Sequence, residues 1–177
     1  MAKNNISILF LVLYYGIFRH FPVSFSRCGG RISRSLRRWC CSHIFEYCGQ
    51  NVNIEKGAYF GRGDKIRIDD NSGLGINSVI LNGSIIGKNV MMGPNCYIHS
   101  RNHRFDRIDI PMCFQGFSED KPVIIGDDVW IGQNVTVMVG RTIAKGSIIA
   151  ANSVLTKDFP EYSIVGGNPA RLIRKRQ

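Results

Sequence analysis

The chain lacks an apolar run long enough to cross a membrane as a helix. Its main uncharged apolar stretch, Ile6 to Phe18, has 13 residues. As a helix it would reach about 20 Å, whereas a hydrocarbon core is roughly 30 Å thick. A clear small-residue cleavage site is also missing, which argues against a secretory signal peptide. With the basic segment behind it, the stretch predicts contact with an anionic membrane surface, and a helix capping a repeat domain is the alternative.

Histidine is scarce, with four residues in 177, and cysteine does not occur at metal-binding spacings. Among the six cysteines, Cys40 and Cys41 are adjacent, and no histidine pair follows at the spacing of a zinc finger. Only His99 and His103 lie beyond residue 50, whereas a zinc carbonic anhydrase site needs three histidines. We therefore expect no metal, and reduced thiols in a cytoplasmic protein.

Acidic residues are outnumbered, 13 against 23 Lys and Arg, and the imbalance lies at the two ends. Residues 1–50 contain seven Lys and Arg and one Glu, and residues 171–177 contain four Lys and Arg and no acidic residue. Residues 51–170 hold 12 of each sign. This distribution predicts anionic partners at two separate places. No nucleic-acid-binding fold is recognisable, so nucleic acid is not expected among them.

Aliphatic residues recur every six positions along much of the chain. A period of six fits neither a helix, which repeats every 3.6 residues, nor a simple strand, which alternates every two. It is typical of a parallel β-solenoid that turns a corner every six residues. An antiparallel sandwich would instead show turn signals every 8 to 12 residues. The two regular series are Leu74, Ile80, Ile86, Met92 and Ile98, and Ile125, Ile131, Val137, Ile143, Ile149 and Leu155.

Small residues accompany this series. The position after each aliphatic residue is usually Gly or Ala, as at Gly75, which suits a tight corner. Three positions further on, small or β-branched residues such as Ser78 are expected to pack inside or beside the corner. An earlier set with the same spacing is Ile54, Phe60 and Ile66. Because the step from Ile66 to Leu74 is two residues too long, we expect a bulge or small loop there.

The second half of the chain carries motifs of a known family. Ile125 to Val137 reads IGDDVWIGQNVTV, and Ala150 to Arg176 reads AANSVLTKDFPEYSIVGGNPARLIRKR. These stretches resemble the closing half of hexapeptide-repeat acyltransferases, most of all the maltose, galactoside and polysaccharide O-acetyltransferases. The resemblance covers about residues 50–176. It implies an all-β fold, a left-handed parallel β-helix, assembled as a homotrimer with active sites between subunits. The handedness rests on the resemblance alone, because parallel crossovers generally favour the right-handed form.

The chain is therefore expected to have three parts. Residues 1–49 form an apolar and basic N-terminal segment, residues 50–170 form the β-helix, and residues 171–177 form a basic C-terminal tail. A long segment without the repeat, residues 99–122, is inserted in the β-helix. Loops of this length in compact domains are usually functional, so we expect the chemistry there.

The inserted loop supplies the predicted catalytic residue. A sugar hydroxyl is a poor nucleophile, and a neutral imidazole, whose pKa is ordinarily near 6.5, can take its proton during attack. In the resembling enzymes the histidine of an Asn-His pair in this loop is the general base, and Asn102 and His103 match that pair. The resemblance implies His103 as the base, with Asn102 and Asn77 at the acceptor. Asn77 could equally hold a left-handed turn, and His99 could orient its neighbour or face solvent.

The resemblance also implies acetyl-coenzyme A as donor. Trp130 would lie along the pantetheine arm, and a backbone N–H near Gly132 or Gln133 would stabilise the thioester oxyanion. Arg171 and Arg174 would face the phosphates. The residues expected to bind the donor are Trp130, Gln133, Ala151, Thr156, Lys157, Arg171 and Arg174.

The sequence thus predicts an acetyl-coenzyme A-dependent O-acetyltransferase that acts on a saccharide hydroxyl without an acyl-enzyme. The apolar and basic N-terminus favours a lipid-linked sugar or a surface polysaccharide as acceptor, at the inner face of the cytoplasmic membrane. N-acylation of an amino sugar would use the same base and donor groove and stays open. A non-enzymatic solenoid scaffold is the remaining alternative.

Overall fold

A computed structural model describes residues 2–81 and 83–177, with side chains from residue 7 onward in these ranges. Two helices come first, α1 (Ala2–Gly16) and α2 (Gly30–Ser42), with a 3₁₀ turn at Phe18–His20 between them. A second 3₁₀ turn lies at Met112–Phe114. The strands are β1 Tyr47–Cys48, β2 Asn53–Ile54, β3 Arg67–Ile68, β4 Gly73–Leu74, β5 Val79–Ile80, β6 Ile85–Ile86, β7 Met91–Met92, β8 Tyr97–Ile98, β9 Ile124–Ile125, β10 Trp130–Ile131, β11 Thr136–Val137, β12 Thr142–Ile143, β13 Ile148–Ile149, β14 Val154–Leu155, β15 Ser163–Gly167 and β16 Ala170–Lys175.

The strands stack into the three faces of a prism. Face 1 contains β1, β3, β6, β9 and β12, and face 3 contains β5, β8, β11 and β14. Face 2 begins with β2 and β4 and continues with β7, β10, β13, β15 and β16. Adjacent coils pair in parallel, and β16 folds back antiparallel on β15. This is the parallel β-helix that the six-residue period predicts, with helices at its N-terminal end and a loop inserted between β8 and β9.

The aliphatic series forms the core. All its members are buried except Met92, which is half-buried. The corner positions represented by Ser78, Cys96 and Val135 are buried as well, so both expectations from the repeat are confirmed. Gly75 shows why a corner needs a small residue: a Cβ at this position would lie 1.9 Å from the carbonyl oxygen of Gly93 in the next coil.

Asparagines form the vertex between faces 2 and 3. Asn77, Asn95 and Asn134 have φ values of 54°, 56° and 56°, in the left-handed region that asparagine tolerates better than most residues. The side-chain amide of Asn95 donates to Asn134 (3.2 Å), and that of Asn134 donates to Asn152 (2.9 Å). These stacked amides tie successive coils together along the vertex.

The irregularity in the repeat lies one step earlier than the sequence pattern indicates. The pairing of β3 with β6 places Ile68, rather than Ile66, in the aliphatic series. The two extra residues therefore lie between Phe60 and Ile68, in a turn with positive-φ glycines. The prediction that they lie between Ile66 and Leu74 was wrong. Both isoleucines are buried, so hydrophobicity alone could not choose between the two registers.

The N-terminal helices cover the first coil of the solenoid. Phe10 and Tyr14 of α1 are buried. The Tyr14 hydroxyl donates to the carbonyl of Ala58 (2.9 Å), and its ring packs on Phe60 with centroids 4.6 Å apart. Helix α2 packs on β1 and β2. Within the described part of the chain, no helix is both long and apolar enough to cross a membrane.

The C-terminal basic residues extend the solenoid instead of forming a separate tail. Most of them lie in β16, which completes face 2. Beyond that strand, the Arg176 guanidinium donates to the Asp128 carboxylate (3.0 Å) and to the Gly146 carbonyl (2.9 Å). The end of the chain is therefore bound to earlier coils.

Candidate active site

The segment inserted after β8 folds into an arm that pairs with itself. The amide of Ser118 donates to the carbonyl of Asn102 (2.8 Å), and the amide of Arg104 donates to the carbonyl of Gly116 (3.0 Å). The 3₁₀ turn at Met112–Phe114 lies between the two halves of the arm. The arm leaves the prism at the vertex between faces 3 and 1, because it connects β8 on face 3 to β9 on face 1.

His103 lies opposite Phe117 in this arm. The flanking hydrogen bonds make His103 and Phe117 a non-hydrogen-bonded antiparallel pair, in which the side chains approach most closely. Their ring centroids are 4.3 Å apart with planes inclined by 36°. Arg101, two residues before His103 and so on the same side of the strand, places its guanidinium 4.2 Å from the Phe117 centroid. The imidazole is thus supported on one side and exposed on the other.

Asn102, the other half of the Asn-His pair, is fixed through its backbone. Besides the bond from Ser118 to its carbonyl, its own amide donates to the Ser118 hydroxyl oxygen (3.1 Å). Its side chain is exposed next to His103. Ser118 and Phe117 are therefore supporting residues that the sequence did not single out, because the arm has no periodic pattern.

His99 belongs to the wall of the solenoid. Its amide donates to the carbonyl of Val137 in the next coil (3.0 Å), and its ring packs against Tyr97 with centroids 4.4 Å apart. Burial lowers the pKa of His99 below the ordinary histidine value. A packed imidazole at the root of the arm suits support of the fold better than exchange of protons with a substrate.

The other predicted residues are all exposed and lie at two vertices and one face of the prism. The vertex between faces 2 and 3 carries Asn77, Gln133 and Ala151, and the amide of the next residue, Asn152, donates to the Gln133 carbonyl (2.9 Å). The vertex between faces 3 and 1 carries the arm together with two further residues. These two are Thr156 and Lys157, which directly follow β14.

The remaining residues predicted to bind acetyl-coenzyme A lie on face 2. Trp130 is half exposed there, between Met91 and Ile148 of the adjacent coils. Arg171 and Arg174 are exposed on β16 of the same sheet. In a three-sided prism, face 2 is opposite the vertex between faces 3 and 1. A single chain therefore does not bring the arm that carries His103 to the face that carries Trp130.

One predicted oxyanion donor is already engaged. The amide of Gly132 donates to the carbonyl of Ile149 (2.8 Å) as part of the coil pairing. Of the two amides named from the sequence, that of Gly132 therefore already has a hydrogen-bond partner within the solenoid. Gln133, which follows at the exposed vertex, stays the predicted donor.

Comparison with family profiles identifies the repeats. Residues 122–157 match the bacterial transferase hexapeptide profile, which describes six repeats, and residues 65–100 match the hexapeptide repeat of succinyl-transferase. The chain thus matches the hexapeptide-repeat acyltransferase superfamily. The two matched segments of this hexapeptide-repeat protein lie on either side of the arm.

Galactoside O-acetyltransferase of Escherichia coli is 33% identical to the chain over 134 residues, which are 75% of this chain and 64% of that protein. The chain spans less than two thirds of the length of the curated relatives it resembles, including 65% of one from Saccharomyces cerevisiae. The solved galactoside acetyltransferase in complex with coenzyme A has a TM-score of 0.79 and 28% identity. That match covers 99% of this chain and 82% of that one.

A second solved structure, a hexapeptide-repeat acetyltransferase of Vibrio cholerae, is complexed with acetyl-coenzyme A. It has a TM-score of 0.74 and 28% identity, and the match covers 98% of this chain and 87% of that one. Within residues 2–81 and 83–177, no group of three or more His, Cys, Asp and Glu side chains is placed to hold a metal ion.

Proposed function

We propose that the protein transfers an acetyl group from acetyl-coenzyme A to a saccharide hydroxyl, with His103 as general base. A ring nitrogen of His103 accepts the hydroxyl proton while the hydroxyl oxygen attacks the thioester carbonyl carbon. The carbon–sulfur bond then breaks, and the imidazolium returns the proton to the departing thiolate. The transfer is direct, so no acyl-enzyme forms.

The position of His103 is the observation that carries this proposal. A base must be held where its nitrogen can meet the substrate proton, and rigid support improves that alignment. Stacking on Phe117 and backbone pairing of the arm restrict the imidazole, while its other side remains exposed. Such a base typically contributes about 10²–10⁴ in rate.

The separation of the site residues supports a homotrimer. His103 and Trp130 lie on opposite sides of one chain. A complete site therefore needs the arm of one copy to lie beside face 2 of a second copy and beside that copy's vertex between faces 2 and 3. Asn77, Gln133 and Ala151 would then face the arm of the neighbour. Thr156 and Lys157 would line the same groove from the subunit that supplies His103. The site is incomplete in a single chain.

The groove between two copies suits coenzyme A. Trp130 offers an aromatic surface for the pantetheine arm, and Arg171 and Arg174 supply guanidinium groups for phosphates at the end of the same sheet. The galactoside acetyltransferase and Vibrio cholerae structures, whose described complexes contain coenzyme A and acetyl-coenzyme A, support this assignment. The galactoside relative supports a saccharide hydroxyl as acceptor.

Thiol release tests the reaction. Purified protein with acetyl-coenzyme A and a panel of free and lipid-linked saccharides should release thiol only when an acceptor is present. The acetylated product should lose its acetyl group in mild alkali, as an ester does. An alkali-stable product would instead show N-acylation of an amino sugar. Failure to bind acetyl-coenzyme A in calorimetry, with no thiol release, would favour a binding scaffold.

A further inference from the structure

The outer surface of the N-terminal helices is unusually apolar. Helix α1 buries Phe10 and Tyr14 against the solenoid and leaves Ile8, Leu9 and Val12 on its other side, 59%, 58% and 64% exposed. A helix that served only to cap the solenoid would be expected to carry polar residues on its solvent side. The same stretch that covers the first coil therefore presents a second apolar face.

Helix α2 extends this face. Ile32 and Trp39 lie seven residues apart, on one side of the helix, and are 66% and 47% exposed. The Trp39 ring contacts Phe10 of α1, with centroids 5.1 Å apart. Trp39 therefore packs at the junction of the two helices, beside the buried Phe10. We call this surface, formed by Ile8, Leu9, Val12, Ile32 and Trp39, the cap patch.

Arginines lie beside the cap patch on α2. Arg31, Arg34 and Arg38 recur on the side of the helix next to Ile32 and Trp39 and line a cleft of about 410 Å³ with Asn51. Arg34 donates to the Asn51 carbonyl (3.0 Å) and Arg38 to the Gly49 carbonyl (3.2 Å), while Arg31 is exposed. The first 45 residues contain no Asp or Glu. The surface therefore combines apolar side chains, an aromatic ring and three arginines.

We propose that the cap patch and its arginines dock the protein on an anionic lipid bilayer. Exposed aliphatic side chains would enter the boundary between headgroups and acyl chains, Trp39 would lie at headgroup level, and the arginine cleft would bind lipid phosphates. Arginines beside a small, two-helix apolar face favour an anionic lipid surface as the partner. In this arrangement α1 and α2 lie at the membrane surface and do not cross the bilayer.

The proposed trimer would strengthen docking. In a cyclic trimer the three caps lie at the same height along the axis, so three patches would meet one membrane together. Each added contact is then intramolecular and raises the avidity. The gain in avidity rests on the proposed function only because it assumes the proposed trimer. Vesicle binding needs neither donor nor acceptor, so its outcome is separate from that of the acetylation test.

The test is co-sedimentation of the full chain with vesicles of phosphatidylcholine, alone or mixed with phosphatidylglycerol. We expect binding to the anionic vesicles and little to the neutral ones. Leu9→Glu and Arg31→Glu should each weaken binding about fivefold or more, because one loses apolar insertion and the other reverses a charge that attracts the surface. High salt should weaken the binding of the wild type.

Two matched variants serve as controls. Ile85→Glu changes an exposed isoleucine on face 1, away from the cap, and Lys88→Glu makes the same charge reversal on the side wall of the solenoid. Both should bind vesicles like the wild type. No binding of the wild type to anionic vesicles, or equal losses in the controls, would overturn the proposal. A Leu9→Glu variant that changes the oligomeric state, measured by sedimentation equilibrium, while vesicle binding stays unchanged would show instead a contact between copies.

Discussion

Replacing His103 with alanine is expected to lower the rate of acetyl transfer by about 10²–10⁴-fold, because the acceptor hydroxyl loses the group that takes its proton. The residual rate should reflect binding and alignment of the two substrates. The dissociation constant for acetyl-coenzyme A, measured by calorimetry, should change little, since the residues proposed to bind acetyl-coenzyme A lie at other positions. Initial rates of thiol release with a saccharide acceptor provide the measurement.

His99→Ala is the matched control for this variant. It removes an imidazole from the root of the same arm, but one that packs on Tyr97. Its rate should stay within about tenfold of the wild type. If His99→Ala and His103→Ala lost activity equally, the loss would reflect disruption of the arm and not removal of the base. If His103→Ala retained full activity, a different group would have to accept the proton.

Replacing Arg37 with methionine should lower the free energy of unfolding by about 3–5 kcal/mol. Arg37 is fully buried in α2 and lies 3.6 Å from the Glu55 carboxylate. It also donates to the carbonyls of Ile54 and Pro22, the latter at 2.9 Å. Its loss would leave a buried carboxylate without its opposite charge and two backbone oxygens without this donor. Denaturant unfolding at a fixed protein concentration measures the effect, because an oligomer's apparent stability depends on concentration.

Glu55 explains why the cost should be large. Burial acts to raise the pKa of this carboxyl group, but hydrogen bonds from Ser24, Asn53 and Lys56 outweigh burial and lower the pKa. The side chain therefore stays charged as the pair partner of Arg37. Arg34→Met, which removes a more exposed arginine of the same helix, should cost less than about 1 kcal/mol. An Arg37→Met variant as stable as Arg34→Met would contradict this account of the cap.

Much of the fold could be predicted because one period repeats. Each coil uses the same six-residue unit, so a buried aliphatic residue such as Ile131 and a small corner residue such as Gly132 recur often enough to reveal the architecture. The prediction failed at the point where two extra residues interrupt the period. There, two buried isoleucines, Ile66 and Ile68, fit alternative registers. Local hydrophobicity does not fix register at such a point.

The site was less accessible to sequence reasoning. His103 was indicated by its place in the inserted segment and by the family resemblance, but its contact with Phe117 depends on how the arm pairs with itself. Arg37 likewise looked like one member of a basic segment, and only packing shows that it points inward to Glu55. The opposite placement of His103 and Trp130 follows from strand order, which an isolated motif does not contain.

Mixed oligomers test most directly whether the site is shared between copies. His103→Ala removes the base, and Ala151→Trp should block the donor groove with a bulky side chain at an exposed vertex; each variant alone should be inactive. If His103 of one subunit acts with the donor vertex of its neighbour, co-expression in equal amounts should restore about one quarter of the wild-type rate by random assembly. No recovery in isolated mixed oligomers would show that each chain holds a complete site and would contradict the account.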